Sequence, residues 1–129
     1  MADNKEIVEK VNAAFAANNM EGFLSFCADD FEFTMVGDKP LQGKQAVRQW
    51  MSSMGDMEPP RISNIRVIAE GDAVASHGTM TMKDKEGKTT PYAYCDIYQF
   101  RDGKIVKLTA FVMKTEMQQQ EAGEAAAVA

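Results

Sequence analysis

The chain has one histidine, His77, and two cysteines, Cys27 and Cys95, far apart in apolar surroundings. That set cannot build an ordinary structural zinc site, which takes four Cys or His ligands. Neither cysteine has the basic neighbourhood that activates a thiol, so both read as buried free thiols. Free thiols in turn make the cytoplasm the default compartment. No apolar run approaches the roughly 20 residues that span a bilayer. Met1 to Glu6 has neither a basic start nor an apolar core, so no signal peptide is expected there. Net charge is −5, with no basic stripe to neutralise phosphates. That excludes the electrostatics of nucleic-acid binding and disfavours an anionic membrane surface. Glycine-rich phosphate loops and the G-x-S-x-G nucleophile elbow are both absent.

What is present is ordinary for one soluble domain: 129 residues, 45% apolar and 26% charged. The unusual abundance is methionine, ten residues. Methionine fills irregular core gaps and also lines adaptable apolar pockets, and both readings stand at this point.

Residues 3–18 carry an apolar stripe (Ile7, Val8, Val11, Ala14, Phe15) at helical spacing, with Asp3 and Glu6 resembling a capping box. A second short helix is expected over 20–27, broken by Asp29-Asp30. Residues 31–36 alternate as a strand, with Phe31, Phe33 and Met35 on one face. A third helix is expected over 43–54, stopped by Gly55 and Pro59-Pro60. The period then becomes two, with strands over 62–70, 73–83, 89–100 and 104–114. The turns fall at Gly71-Asp72, Lys85-Glu86-Gly87 and Asp102-Gly103. Residues 1–117 thus form a single domain, and 118–129 a loose Ala/Gln/Glu-rich tail. The expected class is α+β: a strongly curved, mainly antiparallel sheet, cone-shaped, with the three helices packed on its concave face.

In strand 89–100, Tyr92, Tyr94, Asp96, Tyr98 and Phe100 share one face, and Ala93, Cys95, Ile97 and Gln99 the other. A three-residue hairpin loop with Gly87 in the left-handed position sets Asp96 opposite Ser76, Tyr94 opposite Gly78 and Tyr92 opposite Met80. Pairing Phe100 with Lys104 sets Asp96 opposite Leu108 and Tyr94 opposite Ala110. The small residues at 76, 78 and 110 either pack against the tyrosines or leave room for a ligand. Asp is disfavoured in strand interiors and costly to bury unpaired, and no Lys or Arg falls on its face. Asp96 is therefore the first candidate for an acid/base group kept neutral by apolar walls. The alternative is a carboxylate satisfied by a Tyr, by Ser76 or by backbone. Tyr94 and Tyr98 flank it as hydroxyl donors or core aromatics. Tyr92 is expected at the rim. His77 is a secondary catalytic candidate, although this register turns it away from Asp96. Cys95, Ile97, Thr109, Phe111 and Met113 make the other face apolar too. A sheet apolar on both sides must be covered twice, and a second copy of the chain is the economical cover.

The segments "AAFAANNMEGFLSFCADDFEF", "LQGKQAVRQWM" and "DIYQFRDGKIVKLTAFV" resemble the nuclear-transport-factor-2-like superfamily, in its SnoaL-like and ketosteroid-isomerase-like branches, over roughly residues 5–114. The resemblance implies an α+β cone with a deep pocket, usually dimeric, and no metal or organic cofactor. The implied pocket is lined by Val11, Phe15, Met35, Trp50, Met51, Met80, Tyr92, Tyr94, Tyr98, Leu108 and Ala110. Asp96 matches the late-strand Asp of the isomerases. Their general base aligns with Met35 and their oxyanion tyrosine with Val11. Proton abstraction from carbon needs a base within reach, so the alignment argues against classical steroid isomerisation. SnoaL-like cyclases, which use a late-strand Asp as acid/base, are the closer analogue. Three functions follow as expectations: a cofactor-independent isomerase, cyclase or dehydratase acting on a small, largely apolar molecule; a non-catalytic module binding such a molecule; or a dimerisation domain with a collapsed pocket.

Overall fold

The apolar stripe that begins the chain winds into helix α1, Asn4–Ala16, started by Asp3, whose Oδ1 accepts from the Glu6 N–H at 2.8 Å. The computed structural model describes residues 3–53, 60–84 and 86–115. The expectations for Met54 to Pro59, for Lys85 and for the 118–129 tail lie outside the described residues. Asn18, at φ 56°, turns the chain out of α1, and the Asn19 side chain then caps α2, Met20–Leu24, by accepting from Gly22 N–H at 3.0 Å. After α2 come β1 (Cys27–Met35), the short β2 (Leu41–Gln42) and α3 (Lys44–Ser53). Four long strands complete the chain: β3 (Arg61–Glu70), β4 (Ala73–Lys83), β5 (Thr89–Arg101) and β6 (Lys104–Lys114).

These strands form one six-stranded sheet in the order β2-β1-β6-β5-β4-β3, open at both edges. β3 to β6 are the expected antiparallel meander. β1 joins it parallel to β6, so the sheet is mixed. Asp29-Asp30 does not break a helix but lies inside β1, where the register with β6 shifts between Cys27 and Glu32. Both carboxylates are exposed there, beside Lys44 and Arg101, so the strand tolerates them.

Apolar residues of all three helices pack on the Asp96 face of the sheet. Val8, Val11, Phe23, Leu24 and Val47 share one buried core with Phe31, Val74, Tyr98, Ile105 and Leu108. The opposite face stays open, with Ile68 at 55%, Phe111 at 41% and Met113 at 61% exposure. It also holds Cys95, which is only partly buried rather than enclosed as expected. Cys27 is buried, and burial pushes its thiol up to about 12.

Two details of register position the site. Asp96 pairs with Ser76, Tyr94 with Gly78 and Tyr92 with Met80, as the hairpin loop predicts. On the other side the expected Phe100–Lys104 pairing is replaced. Arg101 pairs with Lys104 around a two-residue turn in which Asp102 and Gly103 both have positive φ. A bulge follows between Gln99 and Phe100, so Asp96 faces Ala110, Tyr94 faces Val112 and Tyr98 faces Leu108. The shift is even, so the same set of side chains stays on the inner face.

Candidate active site: a carboxyl in an apolar cavity

Between the helices and the inner face of the sheet lies a cavity of about 350 Å³, at the small end of the range for small-molecule sites. Helix α1 contributes Asn12 and Phe15, and α2 contributes Met20 and Phe23. Phe33 and Met35 come from β1, Trp50 and Met51 from α3. β3 and β4 add Ile62, Met80 and Met82, while Leu108, Ala110 and Val112 come from β6. Asn18 and Pro60 complete the wall with Tyr94 and Asp96 of β5. Met20, Met35, Met51, Met80 and Met82 make half of the chain's methionines wall residues rather than core filler. Flexible thioether chains allow such a wall to fit more than one shape.

Asp96 is the only ionisable carboxyl among the described lining residues, and no Lys, Arg or His stands with it. With no cation or hydrogen bond to hold the anion, burial pushes its pKa from 3.8 up to about 7. A carboxyl with that value is divided between acid and carboxylate at neutral pH, the condition under which one group can both give and take a proton. Burial also raises Tyr94, with Ser76 near enough to temper the shift and the Asp96 charge adding to it. The Tyr94 hydroxyl nevertheless has no hydrogen-bond partner, nor does that of Tyr98. Burial and then the nearby Asp96 raise Tyr98 well above the ordinary phenol value.

Ser76 is fully buried opposite Asp96, and its Oγ accepts from Asn12 Nδ2 at 3.1 Å. Ser76 thus has a task other than leaving room. Gly78 has another: a Cβ there would stand 2.7 Å from the Ser63 carbonyl oxygen and 3.2 Å from the Tyr94 ring. The β3 bulge between Ser63 and Arg66, with Asn64 at φ 56°, presses on this point. Of the three small residues, Ala110 is the one that opens the cavity wall beside Asp96.

Phe15, Met35, Trp50, Met51, Met80, Tyr94, Asp96, Leu108 and Ala110 therefore converge on the cavity. Three expected wall residues lie elsewhere. Val11 is fully buried in the core, because the stripe of α1 that meets the sheet turns Asn12 and Phe15, not Val11, to the cavity. Tyr98 is also fully buried in the core, paired with Leu108. Tyr92 pairs with Met80 and Lys114, outside the wall near the hairpin end of β5. His77 lies between Arg66 and Cys95 on the outer face, away from Asp96. Asn12 is the functional candidate that the sequence reading missed. Its signal was a polar residue beside an apolar stripe, and such residues usually face solvent.

This open mixed sheet with three helices is the nuclear-transport-factor-2-like fold. A structure of a protein of that type and unknown function from Burkholderia pseudomallei superposes with a TM-score of 0.81 at 18% identity, covering 92% of this chain and 97% of that one. A proposed polyketide cyclase of Pseudomonas putida gives 0.76 at 24% identity, covering 85% and 91%. An LEH-like epoxide hydrolase of M. tuberculosis gives 0.71 at 19%, covering 84% and 80%. At these identities the likeness shows the fold alone. A family model describing the SnoaL-like domain matches residues 8–108, and the chain belongs to that family. No curated protein sequence matches it significantly.

Proposed function

We propose that the protein binds a small, largely apolar molecule in this cavity and moves a proton on it with Asp96, as an isomerase, cyclase or dehydratase that needs no cofactor. The observation that carries the reading is Asp96 itself, an unpaired carboxyl pushed up to about 7 in a largely apolar wall that holds no cation among its described residues. For ring closure, carboxylate Asp96 takes a proton from a carbon activated by a neighbouring carbonyl. The resulting enolate attacks a second carbonyl of the same molecule, and the alkoxide recovers the proton from Asp96. No proton is gained or lost over the cycle, because the one taken from carbon is the one returned to the alkoxide. The proposed polyketide cyclase among the structural relatives makes such closures the first reactions to assay.

A second reading, a binding module without catalysis, is favoured by Met35 and by the absence of another acid among the described lining residues. Asp96→Asn separates the two. Loss of turnover with ligand affinity retained supports catalysis; full activity in the variant rules out Asp96 as the acid/base.

The proposal extends to a cytoplasmic homodimer. Cys27 and Cys95 are unpaired thiols, and Ile68, Phe111 and Met113 leave the outer sheet face apolar and exposed. Among the described residues, no helix is long and apolar enough to cross a membrane.

A further inference from the structure

Asn12 is 7% exposed and lines the cavity from α1. It also borders an outer groove between α1 and β3, where Lys5 and Glu9 lie. The hydrogen bond from its Nδ2 to fully buried Ser76 holds the amide inward. Ser76 stands directly opposite Asp96 in the strand pairing, so the amide is anchored on the strand next to the one that carries the carboxyl. An amide has four hydrogen-bonding positions, and this one uses a single N–H. Among the described residues its side chain forms one hydrogen bond, to Ser76, so the other positions are available to a ligand. Beside it the Tyr94 hydroxyl, on a residue 7% exposed, is also without a partner. A hydroxyl kept this far from water is costly unless something polar meets it.

We propose that Asn12 is the second anchoring group of the cavity, and that Asn12 and Asp96 together select an uncharged ligand carrying a hydrogen-bonding oxygen, of the ketone or enol class, over an anion of the same shape. This rests on the reading of the cavity as a ligand site. A ketone oxygen takes an N–H from Asn12 and the O–H of neutral Asp96. An enol instead gives its proton to Asn12 Oδ1 or to the Asp96 carboxylate. A carboxylate or phosphate meets no cation among the described lining residues and must share the space with Asp96.

The test uses the single tryptophan, Trp50, which lines the cavity and reports occupancy by its emission. Three bicyclic probes are titrated at about pH 6.5, with excitation at about 295 nm and correction for the weak ketone band: decalin, 2-decalone and decalin-2-carboxylate. The expected result is tightest binding of the ketone, about tenfold or more over the carboxylate. Asn12→Leu then lowers the ratio of ketone to decalin affinity about tenfold, the worth of one hydrogen bond. Ser76→Ala keeps Asn12 but frees it, and lowers the same ratio by a smaller factor; a loss of fold alone would weaken both probes equally. Carboxylate binding as tight as ketone binding, or an unchanged ratio in both variants, overturns the proposal. Failure of all three probes, decalin included, overturns the ligand-site reading and the proposal with it.

Discussion

Replacing Asp96 by Asn keeps the shape of the side chain and removes the charge that the cavity resists. In the unfolded chain the carboxyl titrates near 3.8, and in the folded protein near 7. The folded state therefore holds its proton more tightly than the unfolded state between these values. Stability contributed by the neutral acid is complete below about pH 4 and is lost as pH rises to about 7. The difference in pKa corresponds to about 4 kcal/mol, at about 1.4 kcal/mol per pH unit. Half of that is gone by about pH 5.5, because the unfolded carboxyl ionises first. Asn carries none of this penalty. Urea unfolding followed by Trp50 emission, from pH 4.5 to 8.5, then shows Asp96→Asn gaining on the wild type through pH 7. The two curves run parallel above that. Other carboxylates titrate alike in both proteins and cancel in the difference. A difference that stays constant within about 0.5 kcal/mol, the usual scatter of a neutral substitution, refutes the reasoning. A variant less stable than wild type at pH 8 would mean that the carboxylate is stabilised in the fold, contrary to its apolar surroundings.

Gly78→Ala places a methyl 2.7 Å from the Ser63 carbonyl oxygen. It should cost about 1–3 kcal/mol, as overpacking does; an unchanged urea midpoint would show that the β3 bulge yields. Tyr98→Phe removes a fully buried hydroxyl without a partner, and thermal unfolding should show a gain of about 1–2 kcal/mol. A comparable loss would mean that the hydroxyl is satisfied after all. Met113→Lys places a charge on the exposed apolar sheet face. Sedimentation velocity should find wild type at twice 14.2 kDa and the variant at 14.2 kDa, while a wild-type monomer would leave that face without a second copy.

The long strands and their facing were legible because period-two alternation fixes both together. Strand β5 declared Asp96 and its tyrosines as one face, and the Gly87 loop fixed its pairing with β4. The pairing with β6 was not legible. Asp102-Gly103 admits a two-residue turn as well as a longer one, and the bulge after Gln99 depends on packing between whole strands. Asp29-Asp30 looks like punctuation in the sequence, which hides the first half of β1. Only the tertiary placement of Lys44 and Arg101 reveals why charges belong there. The cavity wall was legible where residues project from strands, and less so on α1. Periodicity names the buried side of a helix without dividing it between core and cavity, and the resemblance that puts Val11 in the pocket falls one residue short of Asn12. Tyr98 and Tyr94 share a strand face. Their different depths follow from Leu108 opposite one and Val112 opposite the other, which the bulge decides.

The proposed chemistry depends on one carboxyl, and its ionisation can be observed directly. Carbon-13 labelling of aspartate carboxyls, with the Asp96→Asn protein used to assign the missing signal, follows Asp96 alone through a pH titration. A midpoint at about 7 is predicted, well above the ordinary carboxyl value of 3.8. A midpoint near 4 would contradict it, and would leave the cavity without the acid/base group that the proposed chemistry requires.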